Sequence, residues 1–427
     1  MKVAIVCQPW EHMAHPKLGS VELQIAGASR QLAASGECDV TVYTRRTRGF
    51  PRREVREGVE YRRFGILHGH RLVTPFESVL YPKSNMPIFT SRFYYATFFL
   101  QVAAELRRQK PDIIHVHNFT QFLPLARLAC PRSKIAIHMH CEWLTQFEAK
   151  MLRDRLRHAD AIVGCSRFVA QGARDRFPEY ADRSATVYNA VDTNQFTPAP
   201  EPARNRRILY VGRISPEKGI HVLVDAFAEV LERVPDATLD LVGGELLQGR
   251  QMLIDLSDDP LTLKLASFGD SGYREQVERR LAQAVAQRVR FRGAIPNCEL
   301  PEIYRTAEIV VAPSVCYEGF GIPAAEAAAS GLPVIVTRAG GLAELVVDGV
   351  TGYVVDRGDS GQLARAMTQL LLDDGARRSM GIEGRKRAVE LFSWEASCQQ
   401  LLRVYHSLRS EPSSERVSAV SLDGRAV

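Results

Sequence analysis

Short runs of β-branched and apolar residues alternate with longer stretches of helical period along almost the whole chain, and the alternation begins twice. In the first half the runs are Val3–Cys7, Val40–Thr44, Ile113–His117, Ile135–His138, Ala161–Cys165 and Ala185–Tyr188. In the second they are Arg207–Gly212, Leu239–Val242, Val289–Arg292, Ile309–Ala312, Val334–Val336 and Tyr353–Val355. Helical patterns lie between them, among them Val21–Ala34, Ser91–Gln109 and His221–Arg233. Strands separated by helices pair in parallel, so the pattern specifies α/β sheets covered by helices. A chain of 427 residues is too long for one ordinary core. The proline-rich, aperiodic stretch Thr197–Arg204 marks a join. The expected plan is an N-terminal Rossmann-like domain over 1–196, a linker over 197–205 and a C-terminal Rossmann-like domain over 206–392. A helix over 393–409, able to return to the N-terminal domain, and a frayed tail over 410–427 complete it. Two such sheets are expected to face each other across a cleft, with their carboxyl ends turned to it.

Composition removes several function classes. Hydrophobic residues make up 45% and charged residues 24%, the balance of a soluble globular protein. Fifty-five basic residues against 49 acidic ones leave a net charge of only +6, too mild for a dedicated nucleic-acid binder. The 8 cysteines are scattered without a C-x-x-C pair, which argues for reduced thiols rather than a disulfide frame or metal site. The apolar start Val3–Cys7 is too short for a secretory signal, and Phe93–Ala104 is too short to span a bilayer. A cytoplasmic location is expected. The stretch Thr44–Phe64 carries Arg45, Arg46, Arg48, Arg52, Arg53, Arg56, Arg62 and Arg63. It reads as an exposed loop and strand, or as a surface for an anionic acceptor or the peripheral face of an acidic membrane. The block Gly244–Gly272 is long for a βα connection and reads as a functional loop or an inserted turn.

The densest chemistry lies between Ala312 and Gly331. A β-rich run leads through Glu318-Gly319-Phe320-Gly321-Ile322 into a helical pattern, with Pro323 suited to its first position and Gly331 to its end. A helix opening there turns its positive dipole end towards the loop, a device for holding anions. Glu326 is expected in the first turn, placed to accept bonds from a pair of ribose hydroxyls or simply to complement the helix end. Glu318 is placed to accept sugar hydroxyls. Gly319 to Ala324 also matches the dinucleotide fingerprint, but Ser314–Glu318 separate it from its strand. A second element, Gly212-Arg213-Ile214-Ser215-Pro216-Glu217-Lys218-Gly219, leaves the first strand of the second half. Arg213 offers a bidentate fork and Lys218 a point charge, a pairing suited to a pyrophosphate.

These residues resemble the retaining glycosyltransferases of family 4, with the GT-B fold, over about residues 1–408. The resemblance rests on Arg213 and Lys218 in G-R-x-x-x-x-K-G and on Glu318 and Glu326 in E-x7-E. It extends to Gly19-Ser20-Val21-Glu22, Asp112–His117, His138-Met139-His140, Asn189–Asp192 and Gly340–Val346. It implies that Arg213 and Lys218 bind the donor diphosphate and stabilise the departing nucleoside diphosphate. It implies that Glu326 holds the ribose, and that Glu318 with the backbone of Gly319, Phe320, Gly321 and Ile322 holds the donor sugar. His140 is implied beside the transferred sugar, and Gly19 where backbone approaches the phosphates. Arg292 to Ile295 is implied to frame the base through main-chain bonds. Glu318, His140, Arg213 and Lys218 are thus the expected catalytic residues, and the partners are a nucleotide-sugar donor, UDP-sugar favoured, and a hydroxyl acceptor. Ser20 stands where the family usually has a second glycine. No D-x-D occurs, so no metal or other cofactor is expected and basic groups take over its neutralising role. Glu318 and His140 are candidate nucleophiles, and a front-face displacement fits equally well. Other GT-B sugar-nucleotide enzymes, such as a phosphorylase or epimerase, and an inactive binding partner are the competing readings.

Overall fold

The structure, a computed structural model, describes residues 1–13, 19–66, 86–245, 254–269 and 272–410. The expected tail therefore lies outside the described residues, apart from Ser410, as do parts of the 244–272 block. The chain forms two compact units, Met1–Tyr188 together with the segment from Ser397 onward, and Asn189–Ala396.

The first unit is built on an eight-stranded sheet. Its strands are β1 (Lys2–Val6), β2 (Asp39–Arg45), β3 (Arg53–Arg56), β4 (Val59–Phe64), β5 (Ile113–His117), β6 (Lys134–Met139), β7 (Ala161–Gly164) and β8 (Ser184–Thr186). Their order is β3-β4-β2-β1-β5-β6-β7-β8, parallel except where β3 pairs antiparallel with β4. The central strands are buried end to end because helices cover both faces. Helix Ala96–Gln109, shorter than the expected Ser91–Gln109, buries Phe98, Phe99, Val102 and Leu106. The helix Trp394–Ser410 contributes Cys398, Leu401, Leu402 and Tyr405 to a core with Val3, Ile5, Val40 and Val42.

The β3–β4 hairpin was not expected from the sequence. It lies inside the arginine-rich stretch and turns at Glu57 and Gly58, both at positive φ, as a tight hairpin turn requires. Two of the arginines are not surface charges at all. Arg62 is buried against Glu60 and Glu105, and Arg63 against Glu54 at 2.8 Å. Arg46, Arg48, Arg52 and Arg53 are exposed.

The second unit carries six parallel strands, β9 (Arg207–Val211), β10 (Thr238–Val242), β11 (Val289–Gly293), β12 (Ile309–Ala312), β13 (Val334–Thr337) and β14 (Gly352–Val355). They run in the order β11-β10-β9-β12-β13-β14. Ile208, Leu239, Leu241, Ile309 and Val311 pack with Leu223, Phe227 and Val230 of helix Ile220–Arg233. The division between units falls at Tyr188, ahead of the proline-rich stretch. Val191 N–H donates to Phe392 O at 2.8 Å, and Arg385 donates to the carbonyls of Thr193 and Phe196. The stretch expected to link domains is itself docked on the second unit. Arg305 donates to Thr197 Oγ1 at 2.8 Å, and Pro198 lies against Gly331.

Candidate active site

In the second unit the end of β9 passes through a short 3₁₀ turn, Pro216–Lys218, into helix Ile220–Arg233. Gly219 joins them at φ 72°, and a Cβ there would sit 2.0 Å from Pro313 O. Only glycine permits that contact. It presses the turn against the loop that follows β12, where Val315 and Cys316 N–H donate to Glu217 O at 2.9 and 3.2 Å.

Four charged side chains meet in this contact. Lys218 Nζ donates to Glu318 Oε1 at 2.6 Å, and the Ser314 hydroxyl donates to the same oxygen. Arg213 lies 3.1 Å from Glu217 Oε1, which also accepts from Ser215 Oγ at 2.6 Å. Burial pushes the Glu318 carboxyl up, but Lys218, Ser314 and Arg213 outweigh it and hold the group below its ordinary range. The backbone of Glu318 is fixed as well, because its N–H donates to Ala339 O and its carbonyl accepts from Gly341 N–H at 2.9 Å. Thus Arg213, Lys218 and Glu318 do come together, through Glu217, whose role the sequence did not reveal. Its one signal is the Arg213-x-x-x-Glu217 spacing.

The glycine loop leads into helix Ile322–Ala329 through Gly321, at φ 118° and closely packed on Leu342. Pro323 is the second helical residue, and Glu326 lies in the second turn, not the first as expected. Each of its carboxylate oxygens nevertheless accepts one hydrogen bond. Asn297 Nδ2 donates to Oε1 and the Tyr304 hydroxyl to Oε2, both at 3.0 Å. Burial pushes the carboxyl up to about 7, with the two hydrogen bonds pulling the other way. Tyr304 and Asn297 are 22 and 29 residues away in sequence, and no local pattern marks them.

Other expected positions are placed differently. Phe320 is buried edge-on against Phe392, so it offers a ligand only its backbone. Arg292 is an exposed residue of β11 whose guanidinium donates to buried Asp240 at 2.9 Å. The neighbouring Gly293 carbonyl already accepts from Gly243 N–H at 2.8 Å. Main-chain framing of a base by Arg292 to Ile295 therefore loses one of its carbonyls to the sheet. Ile295 lies just past the strand and is half-buried.

At the strand ends of the first unit the chemistry is different. His140 follows β6, and its Nε2 is 2.8 Å from His117 Nδ1. Its backbone N–H donates to Asn118 Oδ1 at 2.7 Å. Asn118 Nδ2 donates to Gln8 Oε1, and Gln8 Nε2 to Glu11 Oε1. Glu11 is pushed up to about 8 by burial. His115, His117 and His138 are fully buried with ligand atoms within 4.8 Å of one another. Their rings stack at interplanar angles of 15–28°. Stacked rings run their lone pairs side by side, whereas a metal needs them to converge. Burial pushes His115 down to about 3 and lowers His117 and His138 well below the usual imidazole value. His115 Nδ1 lies 2.6 Å from the Tyr405 hydroxyl. The exposed Gly19 does open helix Ser20–Ala34, but its N–H donates to Glu22 Oε2 at 2.7 Å. Glu22 Oε1 also accepts from the N–H groups of His12 and Met13. The Gly19 N–H, expected where backbone approaches the phosphates, is thus already bonded to Glu22.

Two parallel-sheet α/β units, with GT-B glycosyltransferases as their structural neighbours, give the chain the GT-B fold. The family model Glycosyl transferases group 1 matches residues 191–387, and Glycosyltransferase Family 4 matches residues 21–195. The chain belongs to the family 4, group 1 glycosyltransferases. It is 28% identical over 429 residues to a D-inositol 3-phosphate glycosyltransferase of Corynebacterium diphtheriae, covering 94% of this chain and 93% of that one. A sucrose-phosphate synthase of Thermosynechococcus elongatus has the same fold at TM-score 0.73 and 23% identity, over 96% of this chain and 99% of that one. The Anabaena protein HepE, solved with UDP and glucose, follows at TM-score 0.67 and 20% identity, over 95% and 100% of the two chains.

Proposed function

We propose that this glycosyltransferase moves a hexosyl residue from a UDP-sugar to a hydroxyl of a glycan, glycolipid or small metabolite, retaining the anomeric configuration and using no metal. The observation that carries the proposal is the Arg213–Glu217 and Lys218–Glu318 pairing at the end of β9. Each cation is partly withdrawn from solvent and aimed by a carboxylate, and a diphosphate arriving there gains two fixed positive groups without reorganising them. As the glycosidic C–O bond to the diphosphate breaks, charge develops on the leaving oxygen, and Arg213 and Lys218 are the groups that offset it. Glu326, held by Tyr304 and Asn297, accepts the ribose hydroxyls. Glu318, whose Oε2 takes no part in the bonds to Lys218 and Ser314, accepts hydroxyls of the sugar alongside the backbone of Gly319 to Ile322. To the first unit the same proposal assigns His140, fixed by His117 and Asn118, beside the transferred sugar.

The UDP bound in HepE supports a uridine donor, and the inositol phosphate enzyme supports a polyol-type hydroxyl acceptor. No described helix is long and apolar enough to cross a membrane. The exposed Arg46, Arg48, Arg52 and Arg53 are proposed to meet an acidic membrane face in the cytoplasm, which sedimentation with anionic and neutral liposomes checks. Thermal-shift titration with UDP, GDP and ADP tests the donor, because a ligand bound only by the native state raises the midpoint. A shift with UDP alone supports the proposal, and no shift with any of the three removes it. NMR of the released glycoside then reads the anomeric configuration.

A further inference from the structure

The 244–272 block is longer than a βα connection needs, and its described residues are fastened to the loop that carries Glu318. Asp259 caps helix Pro260–Lys264, accepting from Thr262 N–H at 2.9 Å. The same carboxylate holds Arg357 by both oxygens, at 2.8 and 3.1 Å. Arg357, which follows β14, also donates to Val315 O at 2.9 Å, and its guanidinium lies 3.9 Å over the centre of the Tyr317 ring. Thr262 Oγ1 lies 3.3 Å from Cys316 Sγ. Three consecutive residues before Glu318 are therefore gripped by the block and its arginine. The backbone N–H groups of Val315 and Cys316 are tied to Glu217 O, on the turn that carries Lys218.

We propose that Arg357 and Asp259 are positioning residues that hold the Val315–Glu318 loop at the setting in which Glu318 meets the donor sugar. The inference rests on the proposed role of Glu318. Only a planar fork can bind a carboxylate by two bonds, reach a carbonyl and stack on an aromatic ring at once. Both side chains are nearly buried, at 12% and 13% exposure, so the pair is little screened by solvent. Without Arg357 the loop keeps its bonds to Glu217 but loses those on Val315 O and Tyr317, and Glu318 gains freedom. Neither Arg357 nor Asp259 contacts Arg213, Lys218 or Glu326 in the described bonds. The grip should matter to the sugar and not to the nucleotide.

The full chain is titrated calorimetrically with UDP and with UDP-glucose, and UDP release from UDP-glucose is followed without acceptor. In Arg357→Ala, kcat/KM for UDP-glucose is expected to fall about tenfold, with UDP affinity within twofold of wild type and cooperative unfolding kept at a lower thermal midpoint, because Asp259 is left nearly buried without its partner. Arg357→Lys, which keeps the charge but not the fork, should recover only part of the loss, and Asp259→Asn should reproduce it. Equal losses for UDP and UDP-glucose, or no loss, overturn the proposal. Glu318→Gln separates the two claims. If it leaves UDP-glucose turnover intact, the role of Glu318 fails and the positioning role with it. If it abolishes turnover while Arg357→Ala does not change it, only the positioning role fails.

Discussion

The two sheets end in opposite chemistries. In the first unit the strand ends carry stacked, uncharged imidazoles joined to amides, with a buried carboxyl pushed up to about 8. In the second they carry alternating cations and carboxylates within 3.1 Å of one another. The same architecture thus supports a neutral hydrogen-bonded edge and a charged one. A neutral edge is suited to hold hydroxyls, since it has donors and acceptors but no net field. A charged edge whose cations are already aimed by carboxylates can add a phosphate oxygen to each cation without leaving a carboxylate unpaired.

The largest effect expected is at the charged edge. Lys218→Ala and Arg213→Ala should each lower donor-dependent turnover by about 100-fold or more while cooperative unfolding is kept, since each removes a group that meets the leaving diphosphate. Normal turnover in both would erase the contrast between the edges. Next comes Glu326, whose folded value near 7 stands above its ordinary 4.5. Burial disfavours its charged form, so its share of stability is present below pH 4.5 and lost as pH rises through 7. The shift corresponds to about 3 kcal/mol. Glu326→Gln should therefore be more stable than wild type in urea at pH 8, with the gap closing by pH 5, and should lose preference for UDP over 2′-deoxy-UDP. In wild type, UDP should bind more tightly as pH rises from 6 to 8. A flat difference between variant and wild type would show that Glu326 is not held as described.

The neutral edge has the opposite sign. Its histidines are lowered in the folded state, so their contribution is full above pH 6.5 and is lost as pH falls below it. Urea midpoints between pH 8 and 4 should fall through that range, and fall less in a His115→Gln, His138→Gln double variant. The smallest effect expected is none. Exhaustive chelation should leave UDP release unchanged, and full loss restored by Mg²⁺ would mean that the cations do not act alone.

The alternation of strand and helix was legible because each of the twelve apolar runs falls on a parallel strand and most of those strands are buried, so that pattern and burial largely coincide. The β3–β4 hairpin was hidden for the opposite reason. Arg62 and Arg63 sit where apolar residues belong, and the carboxylates that make this possible include Glu105, far along the chain. The domain join was misplaced because prolines mark a stiff segment without saying what it lies on. At the site, Arg213, Lys218, Glu318 and Glu326 announced themselves by local spacing. Glu217, Tyr304, Asn297 and Glu22 act by holding other groups, and a holding partner can come from any distance in sequence. Gly19 illustrates the limit, since the family resemblance that picked it out does not show that its N–H is given to Glu22.

The closing helix of the first unit has a consequence during synthesis. Leu401, Leu402 and Tyr405 pack beside Val3 and Ile5, yet the intervening second unit, Asn189–Ala396, leaves the ribosome before them. At typical elongation rates the N-terminal sheet waits on the order of 10–40 s for the residues that seal it. The later half of the polypeptide can thus complete its own core first, and a chain that stalls before residue 397 carries an unsealed apolar face that invites chaperones.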